Sequence, residues 1–519
     1  MKQRRASDVL LGTSPLLVAF FHLVTAWTHG GPVAVPDVAA YLNISQRFWG
    51  AVTVPELPYH PGYGLLLGVF GFLEANALHT VALCVNALLA GLVVWMTQRL
   101  MRHLGASTKM LWVGVAIACL HPSVTHSSRV AWSEVLLVAL LLCLALLIGN
   151  PDVQRWGTAA FLAGLVPVIH PRGIVITLAL IIVGSLSGQL RRTAAAATTG
   201  LLITALALQA TDTWQIARAD AAQQIVSEPG PLATGAGQWL AFTATTAGLG
   251  AIGVLVGLML IGRRHQVTPA ENVLRFLALS AAAMFVLGAW VLAGSPRADT
   301  LLYGRYIDPW VVPITVAVLC RVAWRTPSRR VVGIAAVLVV VSFLITVGES
   351  DNATQTARGV MTASLRALWV VTGEKLPLIL LLATLLSLGG LVCLHRYLKA
   401  SVVCLLLVAL ASTVLTHVHL RDVGQIADGQ MTAAEFVPSD VDCLSHDRSS
   451  TKSYAVWLYR LQLPKIEHRV IDVAGGEALC GGYVIAGPTA LRSCAGALFI
   501  HQEPRAEWGL WHQPRGKCN

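Results

Sequence analysis

Four short stretches of a very apolar chain hold side chains able to move protons or bind an anion. They are Tyr59-His60-Pro61-Gly62-Tyr63, His121 to Glu134 (HPSVTHSSRVAWSE), His170-Pro171-Arg172, and Arg297 to Asp308 (RADTLLYGRYID). A fifth stretch, VPDVAAYLNISQRFWG from Val35 to Gly50, adds Asp37 and Tyr41. A carboxylate within hydrogen-bond reach of a hydroxyl can take its proton during attack, and the planar fork of an arginine binds phosphate oxygens in pairs. Each feature also has a plainer reading. Asp37, just after Pro36, is placed as a helix cap would be. Arg172 and Arg305 can pair with Glu134 and Asp308 to tie helices together, and Tyr41, Tyr59, Tyr63 and Tyr306 suit an interfacial aromatic belt. His60, His121, His126, His170 and Asp37 are residue types that suit zinc. No two of them show a tight ligand spacing such as HExxH, so no metal ligand is assigned.

The elements that must position these residues are set by composition. Of 519 residues, 55% are hydrophobic and 12% charged, where a water-soluble globule carries about 25% charged residues. A polytopic membrane protein is expected, mainly α-helical. Spans need about 20 apolar residues each, and thirteen candidates stand at approximately 9–29, 77–98, 110–127, 132–149, 156–170, 173–188, 194–211, 238–262, 273–294, 307–324, 331–347, 376–394 and 400–418. His-Pro pairs are expected to bend the short ones. The N-terminal MKQRRASDVLLGTSPLLVAFFHLVTAW has a basic start and an apolar core, but the core is long and no small-residue cleavage site follows, so it reads as a retained first helix.

Orientation follows from the positive residues. With the N-terminus in the cytoplasm, the loops and helix ends on that side hold 18 basic residues, Lys2, Arg4, Arg5, Arg99, Arg102, Lys109, Arg155, Arg191, Arg192, Arg263, Arg264, Arg275, Arg321, Arg325, Arg329, Arg330, Arg396 and Lys399, against three acids, Asp8, Asp152 and Glu271. The net charge of +11 is then mainly a topology signal, and no nucleic-acid partner is called for. Asp37 and the four polar stretches all fall outside the cytoplasm, where one pocket can gather them. Ionisable groups at membrane depth are functional candidates by default.

Residues 1–418 are expected to form the membrane domain and 419–519 an extracytoplasmic α/β domain. VDCLSHD, HRVIDVAG, GGYVIAG and ALFIHQ read as strands and SYAVWLYRLQL as a helix. Cys84, Cys119, Cys143, Cys320, Cys393 and Cys404 lie in apolar spans, where cysteine is a small hydrophobe. Cys443, Cys480, Cys494 and Cys518 all follow the last span, in an oxidising exterior; two disulfides are expected, with three pairings open. External loops 30–76, 212–237 and 348–375 are long, whereas the cytoplasmic ones are short. In the stretch from Val35, residues Val38, Tyr41, Leu42, Ser45, Phe48 and Trp49 recur at helical spacing, with Asn43, Gln46 and Arg47 opposite. That pattern predicts a helix lying in the membrane interface.

This layout resembles the GT-C glycosyltransferases, the superfamily of protein O-mannosyltransferases and aminoarabinose transferases. The resemblance rests on Asp37 in the first external loop, the interfacial helix after it, and the re-entry PYHPGYGLLLGVFGFL. It rests further on Pro122, Ser133 and Glu134 around the third and fourth spans, Arg172 in HPRG, and Arg305 and Tyr306 in GRYIDPW. It covers most of residues 1–330 as an ordered set of features. A GT-C-like bundle of about 13 transmembrane helices is the fold it implies.

The function it implies is transfer of a sugar from a polyprenyl-phosphate donor to an extracytoplasmic glycan, lipid or protein acceptor, with inversion. Asp37 would be the base, Arg172 and Arg305, with Arg129 third, would hold the donor phosphate, and Tyr41, Tyr59, His60, Glu134, His170 and Tyr306 would line the substrates. Relatives include metal-assisted and metal-free enzymes, so a divalent metal stays open and no other cofactor is implied. Many relatives carry a paired acid in the first loop, whereas Asp37 is followed by Val38. Two rivals are a lipid-linked glycan transporter using the same outer cavity, and an envelope scaffold acting through its disulfide-bonded tail.

Overall fold

In a computed structural model, residues 2–28, 30–33, 35–52, 60–211, 230–263, 267–322 and 326–514 are described. Tyr59 and Cys518 lie outside them. Over its described residues each of the thirteen apolar stretches is largely helical, two of them, 110–127 and 238–262, as interrupted helices. Seven helices are long and apolar enough to cross a membrane, or up to eight if one bent pair counts as a span. The protein is accordingly a multi-pass membrane protein, mainly α-helical, with a small C-terminal sheet. Thr108–Leu120, Glu134–Gly149, Trp156–Ile169 and Gly173–Leu186 are shorter, at 13 to 16 residues. Two of these stop at the His-Pro pairs, as expected, because the residue before a proline is pushed out of helical backbone. His121 and His170 both adopt extended φ and ψ.

The stretch 238–262 differs from its expectation. It is two helices, Pro231–Thr245 and Leu249–Ile261, meeting at 115°. Ala247 and Gly248 have φ of 46° and 82°, a left-handed conformation that ends a helix and that glycine adopts at little cost. The Thr246 hydroxyl accepts from Gly250 N at 3.0 Å, and Ser401 donates to the freed carbonyl of Ala247 at 3.0 Å. The threonines of AFTATTAGLG therefore supply the hydrogen bonds that an interrupted helix needs in an apolar setting.

The chain divides into two compact units. The first comprises Met1–Leu23, Asn86–Arg129 and Ser133–Val418. Its helices meet through small residues, as helices in lipid do. Where Trp156–Ile169 crosses Leu190–Ala210, a Cβ on Gly164 would lie 2.5 Å from Ala197 O, and one on Gly200 would lie 2.4 Å from Phe161 O. Thr204 donates across this crossing to Gly164 O at 2.7 Å.

The second unit comprises Val24–Val85, Val130–Trp132 and His419–Asn519. It holds a five-stranded sheet, ordered β2-β1-β3-β5-β4, from β1 (Cys443–Asp447), β2 (Glu467–Ile471), β3 (Tyr483–Ala486), β4 (Leu498–Gln502) and β5 (Gly509–His512). Strands β1, β2 and β3 are parallel; β5 runs antiparallel between β3 and β4. Register shifts between Phe499 and His501 on the edge strand β4. Cys443 and Cys480 form a disulfide. The buried Glu503 accepts from the Tyr459 hydroxyl and from the amides of Thr432 and Ala433 at 2.9 and 2.8 Å.

Also in the second unit, the helix Val35–Gln46 corrects the expectation of an interfacial amphipath. Residues Val38 through Gln46 are all buried, Asn43 and Gln46 included. Gly64 permits the contact with helix Gly62–Leu67, since a Cβ there would lie 2.6 Å from Ile44 Cγ2. Trp457, on the helix Ser453–Gln462, packs against Ala40 and Ile44. Only Phe48 and Trp49, in the following 3-10 turn, stand exposed.

Two outcomes follow. Gly200→Leu should destabilise the first unit by about 1–3 kcal/mol through overpacking, read as a lowered thermal unfolding temperature in detergent. In the sheet, His446 Nε2 and His468 Nδ1 lie 2.9 Å apart with stacked rings. Burial, and for His446 its neighbours His468 and Arg460, holds His446 well below 6.5; burial brings His468 down to about 4. Both are held neutral when folded, so their stabilisation is complete above the unfolded value near 6.5 and is lost as pH falls toward about 4. Hydrogen exchange of β1 and β2 should accelerate over that window, and His468→Gln should flatten the dependence.

Candidate active site

Within the first unit, three helix beginnings bring charged residues together. Glu134 opens Glu134–Gly149, Arg172 precedes Gly173–Leu186, and Arg305 and Tyr306 lie in the turn before Asp308–Val322. Helix starts leave unpaired amides and a positive dipole end, so this region is electropositive before any side chain is counted. Arg305 Nε pairs with Glu134 Oε1 at 2.5 Å. The Arg172 guanidinium stacks on the Tyr306 ring, 3.6 Å from its centroid, and its Nη1 donates to Arg305 O at 3.4 Å.

Burial is deep. Glu134 is 1% exposed, Arg172 5% and Arg305 8%; Tyr306 is half-buried. Burial acts to lower the affinity of Arg172 for its proton, with Arg305 acting the same way, while Tyr306 and Glu134 act against it. The second Glu134 oxygen, Oε2, has no partner among the described residues. Arg172 and Arg305 thus sit side by side, with Glu134 paired directly to Arg305 alone, and planar guanidiniums of this kind bind the oxygens of an anionic group.

A loop completes the surround. Tyr303 meets Tyr306 edge to face at 4.7 Å and donates to Met361 Sδ at 3.1 Å, and Arg305 Nη1 lies 3.8 Å from the same sulfur. Ser364 donates to Asp308 Oδ1 at 2.8 Å. Of the two ion pairs open in the sequence, Arg305 with Glu134 is present, while Asp308 takes its described hydrogen bond from a hydroxyl. His170 accepts from Arg172 N at 3.2 Å through Nδ1, so it shapes the turn that presents Arg172.

The remaining candidates have other surroundings. Arg129 is buried, with its guanidinium 5.7 Å from the centre of the Phe21 ring, next to Ser128, whose hydroxyl lies 2.6 Å from His22 Nδ1. Asp37, Tyr41 and His60 belong to the second unit. Asp37 is half-buried in the first turn of Val35–Gln46. Tyr41, one turn on and on the same face, is 2% exposed and meets Tyr63 edge to face at 5.4 Å. Among the described residues no three His, Cys, Asp or Glu side chains gather as metal ligands would. Tyr303, Met361 and Ser364 were not singled out in the sequence. Met361 and Ser364 sit on the 3-10 helix Gly359–Leu365, inside a long loop without periodic pattern.

No protein-family model matches the chain, nor does any curated protein. Among solved structures it is similar to ArnT from Cupriavidus metallidurans in the apo state, with a TM-score of 0.57 and 16% identity. The match covers 98% of each chain. At that identity the likeness is one of fold, and it agrees with the polytopic helical bundle and small C-terminal α/β domain expected from the residues.

The buried pair makes a prediction. Glu134→Leu leaves Arg305 buried without its carboxylate and should cost about 3–5 kcal/mol, whereas the double variant Glu134→Leu with Arg305→Met should recover most of that. Thermal unfolding of the two in one detergent measures the difference.

Proposed function

We propose that the chain is a membrane glycosyltransferase that moves a sugar from a polyprenyl-phosphate donor to a glycan, lipid or protein acceptor. The observation that carries this reading is the buried pair of guanidiniums, Arg172 and Arg305, linked by a hydrogen bond from Arg172 to Arg305 O, with the Glu134 carboxylate ion-paired to Arg305. The ArnT-like fold supports lipid-linked sugar transfer as the general reaction. In this reading residues 1–418 carry the chemistry and 419–519 form an extracytoplasmic domain, with the N-terminus in the cytoplasm, as the distribution of arginines supports.

Arg172 and Arg305 hold the donor phosphate, with Arg129 as a third cation. The acceptor hydroxyl gives its proton to the Asp37 carboxylate while its oxygen bonds to the anomeric carbon. The bond from that carbon to the phosphate oxygen breaks, and its electron pair leaves with the lipid phosphate. The anomeric carbon gains oxocarbenium character on the way, as in glycoside hydrolysis. Charge growing on the phosphate is met by guanidiniums already fixed in place, so little reorganisation is needed. Direct attack inverts the anomeric centre. Tyr41, Tyr59 and His60 line the acceptor side; Glu134, His170 and Tyr306 line the donor side.

Transfer of radiolabelled sugar from a panel of polyprenyl-phosphate sugars to envelope acceptors tests the reading with purified protein. Wild type should transfer, and Asp37→Asn, matched for folding, should lose about 10²–10⁴-fold in rate, the usual contribution of a general base. Equal transfer by the variant would move the base elsewhere. Absence of transfer by either protein would favour the lipid-linked glycan transporter. Function that survives Asp37→Asn and is abolished by deletion of residues 419–519 would favour the envelope scaffold.

A further inference from the structure

A cavity of about 520 Å³ opens in the second unit, lined by the turn after Val35–Gln46, the segment 71–75 and the loop after Ser453–Gln462. Its volume falls in the roughly 300–1,000 Å³ range of small-molecule sites. One wall is aromatic. Trp49 and Phe72 meet edge to face at 5.2 Å, and the Trp49 indole donates to Gly68 O at 2.9 Å, which fixes the ring. Gly71 allows this approach, because a Cβ there would lie 2.1 Å from Ser45 O and 2.8 Å from Trp49 Cδ1. Trp49 is 49% and Phe72 59% exposed, so substantial ring surface is left for a ligand.

The other walls are polar. Gln46, Gln462, Glu74 and Lys465 line the same cavity. Gln46 is 3% exposed, and its Oε1 has no partner among the described residues, a cost that native structures seldom carry without a use. Gln462 Nε2 donates to Asn76 Oδ1 at 3.2 Å, and this orients its amide. Glu74 and Lys465 have opposite signs, so the lining has no net charge to select an anion or a cation. An indole serving only as a membrane-belt anchor would turn its N–H to the headgroups; here that N–H is used inside the protein.

We infer that this cavity binds one saccharide unit of the acceptor, apart from the unit that receives the sugar. The aromatic wall suits the apolar face of a pyranose or furanose ring, and the amides together with the Glu74 and Lys465 side chains suit its hydroxyls. The inference rests on the proposed transfer to a glycan acceptor and names a second contact with it.

Saturation-transfer NMR of the purified full-length protein tests it, with methyl α-mannopyranoside, methyl β-galactopyranoside and methyl β-arabinofuranoside as probes. At least one should bind wild type, and Trp49→Leu and Gln46→Leu should each weaken that binding by about tenfold or more. Gln46→Leu removes an unpartnered buried oxygen, so it should fold at least as well as wild type, which unfolding temperature checks. Binding of none of the three, or binding unchanged in both variants, overturns the site. Because no donor is present, glycoside binding without sugar transfer would keep this cavity and sink the transferase reading. Transfer with no glycoside binding would do the reverse.

Discussion

Removing a carboxylate and two guanidiniums from water is expensive, and the arrangement of Glu134, Arg172 and Arg305 answers that cost from several directions. The ion pair satisfies one guanidinium directly, the Tyr306 ring faces the other, and backbone carbonyl and sulfur acceptors take remaining donors. These partners come from three separate stretches of the chain, at Glu134, at Arg305 and Tyr306, and at Met361. The helices beginning at Glu134, Gly173 and Asp308 must start where they do for the charges to meet, so the ends of the helices, more than their apolar middles, are what this constraint fixes. A helix shifted by one residue rotates its first side chain by about 100° and would strand a charge.

The short helices can be understood in these terms. Glu134–Gly149, Trp156–Ile169 and Gly173–Leu186 fall below the length of an ordinary span, and each has an end at a polar turn. The charged side chains at these turns are buried within the protein, and there a guanidinium acts on an anion more strongly than it would in bulk solvent.

Much of the helical layout was legible because lipid imposes one rule, runs of apolar residues, although among the described residues only seven or eight of the resulting helices are long and apolar enough to cross a membrane. The gathering of Glu134, Arg172, Arg305 and Tyr306 was legible for a related reason: ionisable residues at the ends of apolar runs are rare enough to be seen. What escaped depended on tertiary context. Asn43 and Gln46 look like the wet side of an amphipath, yet packing covers them. Met361 and Ser364 come from a loop whose path no periodicity marks. Strand β5, GLWH, has four residues and no β-branched one, so its place between β3 and β4 could not be read. The bend at Ala247 had a visible sign in the threonines and glycines of AFTATTAGLG, but an uninterrupted apolar run outweighed it.

The shifted register on β4 bears on how crowded copies of this protein would coexist. That strand is a free edge of the sheet and exposes Leu498, Phe499 and Ile500 at 58%, 41% and 42%. A flat edge this apolar would offer its unpaired amides and carbonyls as a template for a neighbouring strand. The irregularity between Phe499 and His501 twists the edge and breaks the even spacing of those groups. Two such sheets brought together would therefore find no matching ladder to zip, and the edge owes that protection to a single misaligned residue.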